Sequence, residues 1–292
     1  MTKGGKNATA KEKVRRGRMR VGDETLSGLH SGAACTDDST RQIRGGVRTV
    51  QEVLSKTDVE RIALRVLRAY CALPCFHGER ITAIDPEILA TELLGLDVQY
   101  HVLSVSGTVL GLTAKNSYRI RVFDHGPSGE FCVLKKNGIF IDRYLRDDPS
   151  MYGRYHFTLA HELSHHILWM LFPSAVRPTT PNPIHYSLVE SSADDPEERN
   201  ANALASAILM PQQLIKRKMR EYGFGAKIRY VNRICDPWGY RQFSEIAATL
   251  GVSKQALCIR MKSLGLLERE YLRDPYAMTL SIPEDDEYDI YS

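Results

Sequence analysis

Residues 156–169 read "HFTLAHELSHHILW", and the fold turns on what this stretch needs. Leu159, Leu163, Ile167 and Leu168 recur at helical spacing, which predicts a helix that is largely buried. The same helix carries His161, Glu162, His165 and His166. Polar groups on such a helix are costly to bury unless something uses them. His161, Glu162 and His165 form His-Glu-x-x-His. Positions i and i+4 lie about 40° apart around an α-helix, so both imidazoles project from one face. Two nitrogens so placed reach one ion at the roughly 2.0–2.1 Å of a Zn–N bond. Glu162 lies about 100° further round. It is too far round to be a ligand, but it is placed to take a proton from a metal-activated water and to deliver it to a leaving amine. His166 points about 100° away from His165, so it is expected to pack or to act outside the ligand set. His156 is likewise off the ligand face.

A catalytic zinc keeps three protein ligands and one open position, so a third ligand must come from elsewhere. Glu190, Asp194, Asp195, Glu197 and Glu198 lie downstream in "VESSADDPEERNANALASAILMP". Spacing alone leaves the choice open. Asp195 has the position of an N-cap and Glu198 that of the third helical residue, a capping-box arrangement that explains a Glu there without any metal.

The charge is unevenly spread. The net charge is +4, but residues 1–20 hold eight Lys and Arg against one Glu, which leaves −3 for the rest. A nucleic-acid clamp usually shows a basic face on the folded part, so overall charge argues against one. Residues 1–52, rich in Gly, Ser, Thr, Lys and Arg, show no hydrophobic period and are expected to be a disordered basic tail. The tail lacks the apolar segment of a signal peptide, and no apolar run reaches membrane-spanning length. Six scattered cysteines without a CxxC pair read as reduced thiols in a cytoplasmic protein.

Val59, Ile62, Ala63, Val66, Leu67 and Tyr70 mark a first amphipathic helix. Asp85-Pro86 caps a second, which Gly95 ends. Strands are expected in 97–103, 108–113, 118–123, 131–136 and 139–142, the last two joined as a hairpin through Asn137-Gly138. Asp148-Pro149 opens the His-Glu-x-x-His helix, and Asp195-Pro196 opens a helix that Pro211 ends. Residues 271–292 end in "EDDEYDIYS" and are expected to form an acidic tail.

"RYHFTLAHELSHHIL" followed by "EERNANALASAILMP" resembles the ImmA/IrrE family of metallo-endopeptidases, over roughly residues 57–267. The resemblance implies an α+β, zincin-like peptidase domain over 53–270, of the gluzincin kind and closer to the short ImmA-like form. It has a small mixed or antiparallel sheet and a C-terminal helix-turn-helix-like subdomain over 242–266. It also selects Glu198, not Glu197, as third zinc ligand beside His161 and His165, with Glu162 as catalytic base and acid. Ser164 and Leu204 stand where the family usually has Gly and Phe. The implied substrate is a helix-turn-helix transcriptional repressor, whose cleavage would derepress phage, mobile-element or stress genes. Zincins bind extended substrate on an edge strand, for which 131–136 and 139–142 are candidates. His185, Tyr186 and Tyr155 are candidate oxyanion donors.

The segment "FSEIAATLGVSKQALCIRMKSLGLL" supports a rival reading. Ala247 at the helix crossing, Gly251 at the turn, Ser253 as cap and Leu257 inside suit helix-turn-helix. A DNA-binding regulator with a degenerate metal site is therefore the alternative, with Lys254, Gln255, Arg260 and Lys262 facing DNA.

Overall fold

A computed structural model of the chain describes residues 54–172, 184–188 and 195–278; within 184–188 only Ser187 is described with its side chain. The stretch 1–52, the acidic residues 279–292, Glu190, Asp194 and the side chains of His185 and Tyr186 lie outside the described residues.

Helix α1 (Lys56–Cys71) starts at Ser55, whose hydroxyl accepts the Asp58 N–H, and buries Val59, Ala63, Val66, Leu67 and Tyr70. Asp85 caps α2 (Pro86–Ile88) by accepting the N–H groups of Glu87 and Ile88. This helix widens into a π-turn over Leu89–Leu93, and Gly95 follows at φ +63°, a conformation costly for any residue with a Cβ. The other elements are β1 (Asp97–His101), β2 (Val109–Ala114), β3 (Tyr118–Val122), β4 (Glu130–Leu134), β5 (Gly138–Asp142), α3 (Arg143–Asp147) and α4 (Tyr152–Leu171). They continue as β6 (Ile184–Leu188), α5 (Pro196–Leu209), α6 (Gln212–Glu221), β7 (Ile228–Val231), α7 (Pro237–Thr249), α8 (Lys254–Ser263) and β8 (Leu267–Glu270). The fold is α+β. Asp148 caps a short 3-10 turn, Pro149–Met151, before α4 begins at Tyr152.

The main sheet has the order β1-β5-β2-β6. It is mixed: β5 runs parallel to β1 and antiparallel to β2, and β6 is antiparallel to β2. Strands β3 and β4 form a separate antiparallel pair, and β7 and β8 a parallel one.

Two expectations fail here. Strands β4 and β5 are not a hairpin, because they belong to different sheets. A type I′ hairpin turn needs positive φ at both central residues. Neither Asn137 nor Gly138 adopts it; instead the Gly138 N–H donates to the Lys135 carbonyl at 2.8 Å, and the turn passes the chain from one sheet into the middle of the other. Residues 139–142 are also not an edge. All five residues of β5 are buried, with Ile139 and Ile141 packed among α1, α4 and α5, and Phe140 in the cluster with Leu112, Ile120 and Leu134. A strand covered on both faces is apolar throughout, which is why "IFI" lacks alternation. The edges of the main sheet are β1 and β6.

A second core joins Ala160 of α4 to Ala205, Leu209, Ile215, Phe243, Ile246, Leu257 and Met261. Ala247 is buried, Gly251 has φ +67°, and Ser253 caps α8 by accepting the Ala256 N–H. The turn between α7 and α8 is pressed against α4: a Cβ on Gly251 would lie 2.7 Å from His156 Nδ1, and one on Gly153 2.8 Å from the Ser253 nitrogen. Arg260 does not face outward. It is buried, donates to both carboxylate oxygens of Glu60 at 2.6 and 3.1 Å, and donates to the Met210 carbonyl at 3.0 Å. It staples α8 to α1 and is not available to DNA. Arg260→Ala should therefore lower stability by about 2–4 kcal/mol, since it strands a buried carbonyl and breaks a forked ion pair. Urea unfolding of both proteins measures this, and Arg260→Lys should recover little of it, because an ammonium cannot reproduce the fork.

Past β8 the Tyr271 N–H donates to the Val231 carbonyl and Asn232 donates to the Pro275 carbonyl, so the described chain stays packed through this segment. Among the described residues no helix is long and apolar enough to cross a membrane.

Candidate metal centre

Asp195 is the N-cap of α5, accepting the Glu197 N–H at 2.9 Å. The first turn it fixes directs Glu198 at α4: Oε2 lies 3.1 Å from His161 Nε2, and Oε1 lies 3.3 Å from His165 Nε2. The two Nε2 atoms are 3.1 Å apart. Ligand-capable atoms of His161, His165 and Glu198 all lie within 4.8 Å of one another, and this is the one group among the described residues arranged to share an ion. Both histidines are buried and Glu198 is half-buried. Two imidazole nitrogens converging on a carboxylate fit a divalent ion with mixed nitrogen and oxygen preference.

Glu197, one residue earlier, has a different post. Its Oε1 accepts the Trp169 indole N–H at 2.6 Å and lies 3.9 Å from His165 Nδ1 and 3.8 Å from Lys115 Nζ. The Trp169 ring sits 5.7 Å from that of His165, and Lys115 lies over it at 5.0 Å. A carboxylate behind a metal-binding imidazole orients the ring and raises its basicity.

Burial alone would push the His165 pKa down, but hydrogen bonds and charge from Glu197 and Glu198 outweigh it and raise the pKa to about 10. With its pKa raised, a proton on His165 competes with an ion for the same nitrogen. Below the pKa, each unit of rising pH makes displacement of that proton about tenfold easier. Metal affinity should climb steeply between about pH 7 and pH 9 and level off near the pKa, with about one proton released per ion bound. Calorimetry in two buffers of different ionisation enthalpy checks this.

Glu162 has no exposed surface. Burial raises its pKa, with His161 and His165 pulling the other way. Its Oε1 accepts the Ser187 hydroxyl at 2.5 Å, and its Oε2 is buried with no hydrogen-bond partner among the described residues. Among the described residues the carboxylate is thus held through one oxygen only.

His166 packs behind the centre. The Thr113 hydroxyl oxygen shares a hydrogen bond of 2.6 Å with His166 Nε2 and lies 3.4 Å from the Gly138 carbonyl oxygen. Burial and the neighbouring His165 hold the His166 pKa down at about 4. His156 is buried against Tyr152 and the Gly251 turn. Tyr155 is not an oxyanion donor: its hydroxyl donates to Glu87 Oε2 at 3.0 Å and lies 2.8 Å from the Tyr100 hydroxyl, so it is spent on joining α4 to α2 and β1. Sequence reasoning missed Ser187, Gly111, Thr113 and the post of Glu197. An alternating "IHYSL" before the acidic stretch was the available signal for β6.

No match is found among curated proteins. Residues 109–262, from the start of β2 into α8, match the family model described as the IrrE N-terminal-like domain of the M78 peptidases. That span is more than half of the 292 residues and contains His161, Glu162, His165 and Glu198, and the chain belongs to this family of metallopeptidases.

Proposed function

We propose that this chain is a zinc-dependent endopeptidase, with zinc on His161, His165 and Glu198 and with Glu162 as general base and acid. What carries the reading is the convergence of three donor groups beside a buried carboxylate, one oxygen of which has no hydrogen-bond partner among the described residues. Zinc, when bound, supplies Lewis acidity that polarises a scissile carbonyl and lowers the pKa of water. Glu162 Oε2 takes the proton of the attacking water and returns it to the leaving amine. Burial favours proton uptake, because a carboxylate with a raised pKa is a better base. The substrate lies extended along β6, whose only partner among the described strands is β2, so that its open edge can take one more strand by backbone hydrogen bonds.

The substrate is a helix-turn-helix repressor in the cytoplasm, a reading that resemblance to the ImmA/IrrE family supports. Incubating the zinc-loaded protein with a repressor encoded beside it tests the assignment. A discrete cut that Glu162→Gln abolishes supports it, and an intact repressor beside a cleaved generic peptide refutes it.

A second reading, DNA contact through α7 and α8, is favoured by charge: residues 211–278 hold 13 Lys and Arg against 6 Asp and Glu. Arg260 is withdrawn from that account, which leaves Lys254, Gln255 and Lys262. DNA binding that falls steeply with salt and survives Glu162→Gln would establish it.

A further inference from the structure

Strand β6 does more than border the site. In the pairing of β2 with β6, Gly111 stands opposite Ser187, just after an irregularity in register between Val109 and Gly111. Bulges of this kind re-aim side chains next to active sites. Both residues bear on the same carboxylate. A Cβ on Gly111 would lie 2.6 Å from Glu162 Oε1 and 2.9 Å from the Thr158 methyl, so the missing side chain leaves the room that the carboxylate fills. Ser187 then donates to Glu162 Oε1 at 2.5 Å, and Oε2 remains without a partner among the described residues.

We propose that Ser187 is the positioning residue of the peptidase reaction. Its hydroxyl, with the space left by Gly111, holds the Glu162 carboxylate in the one orientation that reserves Oε2 for proton transfer. The terminal torsion of a Glu side chain is broad and roughly two-fold, so a carboxylate beside an empty glycine position would otherwise sample several orientations. Ser187 also sits on the sheet edge proposed to receive the substrate, so the strand that seats the peptide holds the base that cleaves it. The inference rests on the peptidase reading for its role in turnover, but the orientation of Glu162 can be read without turnover.

The test compares the full-length wild type with Ser187→Ala and Ser187→Thr, each loaded with zinc. Four quantities are measured: zinc affinity, kcat and KM on a peptide substrate, and the carboxyl-carbon NMR resonance of Glu162, assigned by its absence in Glu162→Gln. Ser187→Ala should keep zinc affinity and KM within about twofold and lose kcat on the order of 10- to 100-fold, the size expected for a misplaced catalytic group. Its Glu162 resonance should move. Ser187→Thr, which keeps the hydroxyl, should restore most of kcat and the original resonance. Unchanged kcat and resonance in Ser187→Ala would overturn the proposal. Loss of zinc together with activity would also overturn it, since Ser187 would then support the whole centre. If zinc-loaded wild type cleaves no peptide, the peptidase reading fails by itself; the resonance then decides the positioning role, and an unmoved signal in Ser187→Ala refutes it.

Discussion

Glu162→Gln protein is expected to bind about one zinc as tightly as wild type and to lose peptide hydrolysis by on the order of 10³-fold. The substitution is nearly isosteric and touches none of the three converging donors. The side chain still fills the space beside Gly111 and can still accept from Ser187. What disappears is the carboxylate oxygen Oε2, which accepts and returns the proton in the proposed reaction. Among the described residues the nearest alternatives are occupied: His161 and His165 face the ion position, and Glu198 faces both. Metal analysis beside a peptide-cleavage assay reads both halves. Full activity in the variant would remove Glu162 from the mechanism, and lost zinc would mean that the carboxylate supports the centre itself.

His165→Ala and Glu198→Ala should each lower zinc affinity by more than about 100-fold, because changing groups that merely orient a ligand already costs 10–100-fold. The two variants separate different claims. His165 is buried at the hub of Glu197, Glu198 and Trp169, and its removal deletes a nitrogen donor. Glu198 lies on a different helix, and its removal asks whether α5 supplies a ligand or only a neighbouring charge. Zinc lost in His165→Ala but kept in Glu198→Ala would leave a two-histidine centre and reopen the third ligand. Zinc absent from the wild type would remove the peptidase reading and leave the α7–α8 surface as the leading account. Loss in both, with folding intact by circular dichroism, would fix the donor set.

Much of the centre was legible because helices make it so. A four-residue interval places two side chains on one face whatever the tertiary setting, so His161 and His165 could be paired from sequence, and His166 excluded. The caps at Asp85, Asp195 and Ser253 were legible for the same local reason: each satisfies N–H groups two or three residues away. Spacing could not choose between Glu197 and Glu198. Both lie in the first turn of α5, and only the placement of α5 against α4 turns Glu198 to the Nε2 atoms and Glu197 to Trp169.

Strand partners were the least legible. Asn137-Gly138 has hairpin chemistry, yet the chain leaves β4 for a different sheet, and β5 becomes an interior strand because it pairs with β1 on one side and β2 on the other. Arg260 looked like a surface cation until Glu60, 200 residues earlier, met it at 2.6 Å. The alternation in "IHYSL" could place Ser187 on a strand, but nothing local paired it with Glu162, 25 residues earlier.

The sequence by itself therefore determined the helix periods, the caps and the pair of histidines, because these depend on residues within a turn or two of each other. The tertiary structure alone decided which strand is the edge, which carboxylate faces the histidines and which hydroxyl holds Glu162. Those contacts join segments far apart in the chain, and their geometry exists only once the intervening core has packed.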